Sequence, residues 1–277
     1  MGATDAVAPE RLGPQDALAG LALSDEAGWN QSEDDWMVFL SQGTVLGLRD
    51  DAARLIATAA LLPYPPAAWI SMVLVTASWR RQGLATKLIN ACLAAADAAG
   101  VTPWLDATPD GATVYGPMGF HTALSTQRFR RQHQPSPSLL PAVDAAFDTR
   151  RQDLLRRDRE AMGFDRANLL NAFCRRDGSR LYAHESALCL VRDGRKARQI
   201  GPLFAEQPAH AIALLNGVIA RENGTHIIDV IDTHHDVIAG LTASGFMFER
   251  PFRRMRFHNP ATGGIQTAIA IAGPEFG

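Results

Sequence analysis

Apolar and polar residues follow two periods along the first half of this chain, and the periods predict both strands and helices. Between Gly83 and Gly100, apolar residues recur at Leu84, Leu88 and Cys92, the spacing of one buried helix face. Short apolar runs separated by turn residues predict strands around this helix. The predicted strands are 44–48, 54–62, 69–75, 102–107 and 120–130, and the predicted helices are 15–28, 34–43, 83–99 and 111–118. This order predicts a mixed α/β domain.

The second half of the chain predicts a similar order of elements. Its predicted helices are 153–173, 209–221 and 237–243, and its predicted strands are 180–191, 196–204, 225–232 and 246–257. Between the halves the composition shifts to Gln, Pro and Ser, which is typical of a linker, and a helix could begin near Pro141. We therefore expect two domains, at residues 1–131 and 151–277, joined by a linker at 132–150.

A faint internal repeat supports this division. The interval from Asp106 to Gly119 equals the interval from Asp232 to Gly245, and each ends in Gly-Phe before an arginine-rich strand. Equal spacing within the same element order indicates an internal duplication. The arginines alternate with acidic or apolar residues, so we interpret them as strand faces and interdomain contacts.

Composition argues against several classes of partner. The 277 residues carry 27 basic and 29 acidic side chains, and a formal charge of −2 gives no general attraction for nucleic acid or anionic membranes. The N-terminal residues lack a basic segment followed by an apolar run, and no stretch is long and uncharged enough to span a bilayer, so we expect a soluble cytoplasmic protein. Cys92, Cys174 and Cys189 stand apart in apolar contexts, and we expect buried thiols rather than disulfides or metal ligands.

No metal site is predicted. His234 and His235 lie near Asp229, Asp232 and Asp236, but adjacent side chains on extended chain diverge, and no second ligand group stands at metal-site spacing. We interpret the histidine pair as part of a loop or a helix cap.

The segment with the clearest chemistry follows the predicted strand 69–75. Its sequence is Arg80-Arg81-Gln82-Gly83-Leu84-Ala85, and it opens the helix at Gly83. The first N–H groups of a helix have no partners inside it, and the helix dipole adds partial positive charge, so a diphosphate can bind there. Gly83 and Ala85 permit close approach, and Arg80 and Arg81 add hydrogen-bond donors. The alternative is an ordinary charged loop that caps a helix.

This segment resembles the acetyl-CoA loop of the GNAT superfamily of N-acetyltransferases. A second segment, Leu105-Asp106-Ala107-Thr108 and then Tyr115-Gly116-Pro117-Met118-Gly119-Phe120, resembles that superfamily's strand, short helix and Tyr-x-x-x-Gly-Phe ending. The resemblance implies that acetyl-CoA binds as a co-substrate, with its diphosphate at Arg80, Arg81, Gln82, Gly83, Leu84, Ala85 and Thr86. It also implies that the backbone of Val73, Leu74 and Val75 holds the pantetheine arm, with the Val75 N–H polarising the thioester.

The same resemblance implies a proton donor, Tyr115, and a changed cofactor contact at Thr108. Tyr115 is the expected general acid for the departing thiolate, and the alternative is a core tyrosine. Thr108 stands where many relatives carry an asparagine that touches the cofactor, and a threonine can keep one hydrogen bond of that amide.

The general base is not evident. Many relatives place a glutamate on the strand before the loop, but 69–75 contains no carboxylate, which leaves a water chain or a residue from another element. Glu33, Asp34 and Asp35 lie where relatives form the acceptor wall, and an acidic wall would suit a cationic amine. The alternative is a solvated helix N-terminus.

The second half resembles a degenerate GNAT-like domain, as in tandem acetyltransferases, because Leu241 replaces Tyr115 in the repeat and 200–206 has no phosphate-binding pattern. We therefore expect an α/β protein with a mixed sheet and two GNAT-like domains in tandem, with acetyl-CoA on the first. The expected reaction is acetyl transfer to a primary amine of a small metabolite. The alternatives are a protein or peptide amine as acceptor, or an acyl-CoA sensor without turnover. The second domain is expected to shape the acceptor site or a homodimer contact.

Overall fold

The computed structural model describes residues 8–132, 147–258 and 268–277. The chain divides into two compact units, Met1–Leu105 with Phe276 and Asp106–Glu275 with Gly277, called here the first and the second unit. This division follows packing, whereas the predicted limits 1–131 and 151–277 follow the sequence repeat, so those limits stay a prediction. Most of the predicted linker, and the helix predicted near Pro141, lie outside the described residues.

The first unit combines a sheet with three α-helices along its described residues. Its strands are β1 (Glu10–Arg11), β2 (Thr44–Arg49), β3 (Leu55–Tyr64), β4 (Ala67–Val75) and β5 (Thr102–Ala107), and its helices are α1 (Ala17–Glu26), α2 (Glu33–Gln42) and α3 (Leu84–Ala98). The strands β1 to β4 are antiparallel neighbours, and β5 pairs parallel with the start of β4. Leu84, Leu88 and Cys92 of α3 are buried, so the predicted apolar helix face is confirmed.

Aromatic side chains fill the core of the first unit. The rings of Phe39 and Phe276 are stacked with centroids 4.8 Å apart, and those of Trp69 and Trp104 are stacked at 6.2 Å. Such pairs contribute roughly 0.5–1.5 kcal/mol beyond the burial of their area. The stacking holds β4 and β5 together where they pair.

The second unit contains the remaining elements. Its helices are α4 (Pro109–Tyr115), α5 (Phe147–Met162), α6 (Ala167–Cys174), α7 (Pro208–Arg221) and α8 (His235–Ala243). Its strands are β6 (Phe120–Arg131), β7 (Arg180–His184), β8 (Ala187–Arg192), β9 (Arg198–Phe204), β10 (His226–Ile231), β11 (Met247–Phe257) and β12 (Ala268–Ala270). Within this unit the strand order is β11-β6-β10-β12-β9-β8-β7.

The strand β6 ends the first copy of the sequence repeat but pairs with strands of the second copy. It is antiparallel to β10 on one side and to β11 on the other. Arg128 of β6 donates from Nε and Nη2 to the two Asp229 oxygens of β10, each at 2.8 Å, and both side chains are buried. Burial alone would lower the pKa of Arg128, but the facing Asp229 carboxylate outweighs it and raises that pKa. Breaking this pair would leave a buried charge alone, which typically costs about 3–5 kcal/mol.

Most predicted elements are confirmed, and two predictions are wrong. The single helix predicted at 153–173 is two helices, because the chain turns at Gly163, whose φ is 73°. The single strand predicted at 180–191 is the hairpin of β7 and β8, which turns at Glu185 and Ser186. The short strands β1 and β12 have too few residues to show a period in the sequence.

The three cysteines are buried thiols without disulfide partners, as predicted. Burial raises the pKa of Cys92 to about 12 and that of Cys174 to about 11, so both stay protonated at neutral pH. Along the described stretches, none of the helices has the length and apolar character needed to cross a membrane.

Candidate functional site

The predicted phosphate loop lies on the surface of the first unit, between β4 and α3. A 3₁₀ turn, Ala77–Trp79, follows β4, and α3 begins at Leu84. Arg81 and Gly83 adopt left-handed backbone conformations, with φ of 61° and 79°. A left-handed residue next to a helical one turns successive N–H groups to the same side, which forms a concave site for an anion. The loop therefore has a backbone shape that fits a phosphate.

The space around Gly83 is open. A Cβ added to Gly83 would meet no atom within 4 Å, and among the described residues no side chain caps α3 there. The first N–H groups of α3 are therefore left for a ligand. Arg81 is exposed beside them, whereas Arg80 folds back and donates from Nε to the Val75 carbonyl over 3.0 Å. The loop offers backbone donors, the exposed guanidinium of Arg81 and the Arg80 guanidinium bonded to β4.

The strand β4 is irregular just before this loop. Its register with β3 shifts between Ser71 and Leu74, where two residues of β4 face one residue of β3, and Met72 has a left-handed φ of 50°. The Thr58 hydroxyl donates to the Met72 carbonyl over 2.9 Å and holds this bulge. Bulges are frequent beside active sites because they change the direction of the strand. Sequence reasoning missed the bulge, since neither Met72 nor Thr58 is a residue that indicates one.

The backbone of Val75 faces away from β3. The Thr76 N–H donates to the Ile56 carbonyl at 2.9 Å, so Thr76 and Ile56 form a hydrogen-bonded pair of the antiparallel ladder. The next pair, Val75 with Ala57, is then a non-hydrogen-bonded pair, whose N–H and C=O groups point outward. Pairing between β4 and β5 covers only Ala67–Trp69, so in the described chain β4 continues from 70 to 75 beyond its pairs with β5. We call residues 70–75 the open edge of β4.

Glu26, at the end of α1, is a residue of this site that sequence reasoning missed. Its carboxylate accepts hydrogen bonds from the Thr76 hydroxyl at 2.7 Å and from the Ala77 N–H at 2.6 Å. The Thr76 bond and then the Ala77 bond are the main causes that lower the pKa of Glu26. The carboxylate therefore stays ionised at neutral pH and ties α1 to the turn that leads into the phosphate loop. Glu26 and Thr76 are fifty residues apart in the sequence, so no local pattern indicates that their side chains are in contact.

Thr108 and Tyr115 belong to the second unit. The Thr108 hydroxyl oxygen caps α4 by accepting from the Gly111 N–H at 3.2 Å, which leaves its proton for another acceptor. The ring of Tyr115 packs on Gly111 and lies 6.0 Å from the ring of Phe120. Burial raises the pKa of Tyr115 to about 12, and its hydroxyl has no hydrogen-bond partner among the described residues. Both residues keep a donor, and their contact with a cofactor stays a prediction.

One of the three acidic residues in the first turn of α2 has a structural role. Asp35 is buried and forms a capping box with Ser32, accepting from the Ser32 N–H at 2.9 Å. Glu33 and Asp34 are exposed in the first turn of α2.

Within the described residues no group of three or more His, Cys, Asp or Glu side chains is placed to hold a metal ion. His234 stands at the N-cap position of α8, and its Nε2 lies 3.1 Å from the Ala268 carbonyl.

The second unit contains a counterpart of the open edge, and this counterpart is filled. β9 and β10 pair in parallel over Arg198–Ile200 only, just as β4 and β5 pair over three residues. Beyond that point β12 lies between them: Ala270 faces Val230 of β10 and Leu203 of β9. In the second unit β12 therefore pairs with the part of β9 that lies beyond its pairs with β10. In the first unit the corresponding part of β4 is the open edge.

Comparison with protein families identifies both halves of the chain. A model of the acetyltransferase (GNAT) family matches residues 18–120, and a model of an acetyltransferase (GNAT) domain matches residues 154–268. Together the two matches cover most of the chain. The first match includes the phosphate loop and Tyr115, and the second includes β9, β10 and most of α5.

Relatives and solved structures extend over nearly the same length. An uncharacterized N-acetyltransferase of Bacillus subtilis (strain 168), YitH, is 26% identical over 82% of this chain and 83% of its own. A putative acetyltransferase from Pyrococcus horikoshii has a TM-score of 0.82 at 20% identity, covering 99% of this chain and 97% of that one. A tandem GNAT protein from the clavulanic acid biosynthesis pathway has a TM-score of 0.64 at 16% identity, covering 92% and 100%. The resemblance in fold therefore includes both halves.

Proposed function

This chain belongs to the GNAT superfamily of acetyltransferases, and we propose that it transfers an acetyl group from acetyl-CoA to the primary amine of a small metabolite. One observation supports the cofactor above all others. In the first unit, the open edge of β4, the left-handed Arg81 and Gly83, and the uncapped start of α3 follow one another directly. Each of these features offers backbone donors, which is what a pantetheine diphosphate requires.

In this proposal the residues act on successive parts of the co-substrate. Acetyl-CoA supplies a thioester, whose acetyl carbon is attacked by the neutral amine. The N–H of Val75 points away from β3 and can donate to the thioester oxygen, which draws charge onto that oxygen as the new bond forms. N–H groups at Leu84, Ala85 and Thr86 bind the diphosphate, and the Arg81 guanidinium adds positive charge.

Tyr115 supplies the proton in this scheme. As the carbon–sulfur bond breaks, the phenol protonates the departing thiolate. The acetylated ammonium then loses its proton to solvent, and the Tyr115 phenolate regains a proton from solvent. Because burial raises its pKa to about 12, Tyr115 carries its proton at neutral pH. The described part of β4 supplies no carboxylate, so we assign the deprotonation of the amine to water.

The choice of a small amine rests on an analogy. A tandem GNAT protein of the same fold comes from the clavulanic acid biosynthesis pathway, which produces a small molecule. Glu33 and Asp34 are exposed at the start of α2 and would favour a cationic acceptor. We further propose that the protein acts in the cytoplasm, and that its second half shapes the acceptor site or a homodimer contact.

Release of free CoA thiol tests the reaction. The intact protein and acetyl-CoA would be incubated with polyamines, amino sugars, amino acids and short peptides, each against a no-amine control. We expect one class of small amine to stimulate thiol release, with the acetylated amine found by mass spectrometry. Faster release with peptides would favour a peptide acetyltransferase. Binding of acetyl-CoA without stimulated release by any amine would favour a sensor.

A further inference from the structure

A cavity in the second unit lies apart from every residue assigned above. It has a volume of about 520 Å³ and opens between α7, α8 and the end of β6. Its lining combines two isoleucines and small residues with a few polar groups: Arg131, Ile212, Asn216, Ile219, Gly240, Ala243, Ser244 and Gly245. None of these described lining residues is acidic. We call it the Arg131 cavity.

The guanidinium of Arg131 in this wall has hydrogen-bond partners for only some of its N–H donors. Arg131 is 5% exposed, and its Nε donates to the Ser244 carbonyl at 3.0 Å, which caps the end of α8. Its Nη1 is buried and has no hydrogen-bond partner within the part of the chain that is described. A buried guanidinium without a carboxylate is costly, because it has lost water and gained no counter-charge. The bond to Ser244 accounts for Nε, and Nη1 is the donor that it leaves without a partner among the described residues.

Asn216 adds a second donor to the same cavity. The Ser244 hydroxyl lies 2.7 Å from Asn216 Oδ1 and 2.8 Å from the Gly240 carbonyl, so the amide oxygen is turned toward the serine. The single Ser244 proton serves one of these two oxygens at a time, and the Asn216 amide keeps two N–H donors on Nδ2. On α7, Ile212 and Ile219 stand four positions before and three positions after Asn216, on the same helix face. The polar group is therefore flanked by apolar surface.

We propose that the Arg131 cavity binds a small organic carboxylate with a short apolar body. A guanidinium offers parallel donors that match the two oxygens of a carboxylate, and the Asn216 amide can donate to the same group. The two isoleucines would contact the apolar body of the carboxylate ligand. Inorganic phosphate has no such apolar body and would leave them without a contact. The volume lies within the range of small-molecule sites, roughly 300–1,000 Å³. This proposal does not depend on acetyl-CoA, since no lining residue belongs to the phosphate loop or to β4.

Nuclear magnetic resonance of the intact protein tests this site directly. With the isoleucine methyl groups labelled, benzoate would be titrated against its neutral isostere, benzamide, in the absence of acetyl-CoA. We expect saturable shifts of the Ile212 and Ile219 methyl signals with benzoate, at a Kd on the order of 1 mM for so small a ligand. Benzamide should bind at least about tenfold more weakly, because it lacks the charge.

Two variants and one control decide the outcome. Asn216→Asp keeps the shape and places a carboxylate beside Arg131, so benzoate binding should fall at least about tenfold. Ala243→Phe fills the cavity without removing a polar group and should have the same effect if Asn216→Asp does not fold. Asn223→Asp makes the same charge change on an exposed loop residue and should leave binding unchanged. Absence of saturation, equal binding of benzamide, or full binding by Ala243→Phe would overturn the proposal.

Discussion

The two halves of this chain build the same parallel strand pair and complete it in different ways. In the first unit, β4 and β5 separate after Trp69 and Trp104, and the open edge of β4 leads into an exposed phosphate loop. In the second unit, β9 and β10 separate after Ile200 and Ile228, and β12 enters between them. The two gaps therefore share a strand arrangement and differ in whether a further strand of this chain lies in them.

The backbone after each strand agrees with this difference. Gly83 has a left-handed φ and open space around it, as a phosphate cradle needs. In the second unit α7 begins at Pro208 after an extended Gln207, and a Cβ added to Gly201 would overlap the Ile271 carbonyl. The glycine of the first unit leaves open space beside the start of α3, and the glycine of the second unit permits close packing of the segment that follows β12.

The largest expected effect is the loss of cofactor binding at Gly83. Gly83→Asp places a negative charge where the diphosphate would bind, and its Cβ meets no neighbouring atom, although the φ of 79° strains any residue with a Cβ. We expect no measurable acetyl-CoA binding by calorimetry, a loss of more than about a hundredfold. Gly83→Ala separates bulk from charge and should weaken binding less.

Gly100→Asp is the matched control for that variant. Gly100 also has a positive φ and no atom within 4 Å of an added Cβ, but it lies at the opposite end of α3. It should keep wild-type affinity for acetyl-CoA. Equal losses in Gly83→Asp and Gly100→Asp would show that the phosphate loop is not the binding site.

The filled gap of the second unit should instead affect stability. Ile269 of β12 is 3% exposed and packs in the hydrophobic core of that unit. Ile269→Ala should lower the free energy of unfolding by about 2–4 kcal/mol, since it leaves a cavity. Acetyl-CoA affinity of the folded variant should not change. Leu18→Ala, at a residue that is 65% exposed, should change stability by less than about 0.5 kcal/mol. A weakened acetyl-CoA affinity in Ile269→Ala would mean that the second gap contributes to binding.

Tyr115 and Tyr182, which both lie in the second unit, offer another pair of variants. Tyr115→Phe should lower kcat by about a hundredfold with little effect on acetyl-CoA affinity, because only the proton donor is lost. Because the pKa of Tyr115 is raised to about 12, the phenol should stay protonated between pH 7 and pH 10. We therefore expect no fall in kcat from deprotonation of Tyr115 over that range. Tyr182→Phe removes a hydroxyl that donates to Glu222 at 2.6 Å and should affect stability rather than kcat. An unchanged kcat in Tyr115→Phe would make Tyr115 a core residue.

The smallest expected effect is at Glu26. Glu26→Gln weakens the bonds to Thr76 and Ala77, and we expect acetyl-CoA affinity to fall by about two- to fivefold. Because the pKa of Glu26 is lowered, its effect should be complete above the ordinary glutamate pKa and be lost only as pH falls through the lowered value. Glu33→Gln, at an exposed residue of α2, is the control. Equal affinity of Glu26→Gln and wild type would remove Glu26 from the site.

The sequence predicted what depends on local pattern and missed what depends on distant pairing. The start of α3 at Gly83 was predictable because the residues that indicate it are contiguous, and the tandem family is confirmed by matches to both halves. Phosphate binding there stays a prediction. The bulge at Met72 depends on Thr58 from another strand, and the position of β12 depends on β9 and β10. Neither pairing leaves a periodic signal in a single sequence.

Titration of the intact protein with acetyl-CoA in a calorimeter counts the cofactor sites in the chain. We expect one molecule bound per chain, because the first unit has an open edge and a phosphate loop and the second has β12 in the corresponding position. Two equivalent molecules per chain would contradict this account of the second unit. One molecule that still binds fully to Gly83→Asp would contradict the assignment of the site to the first.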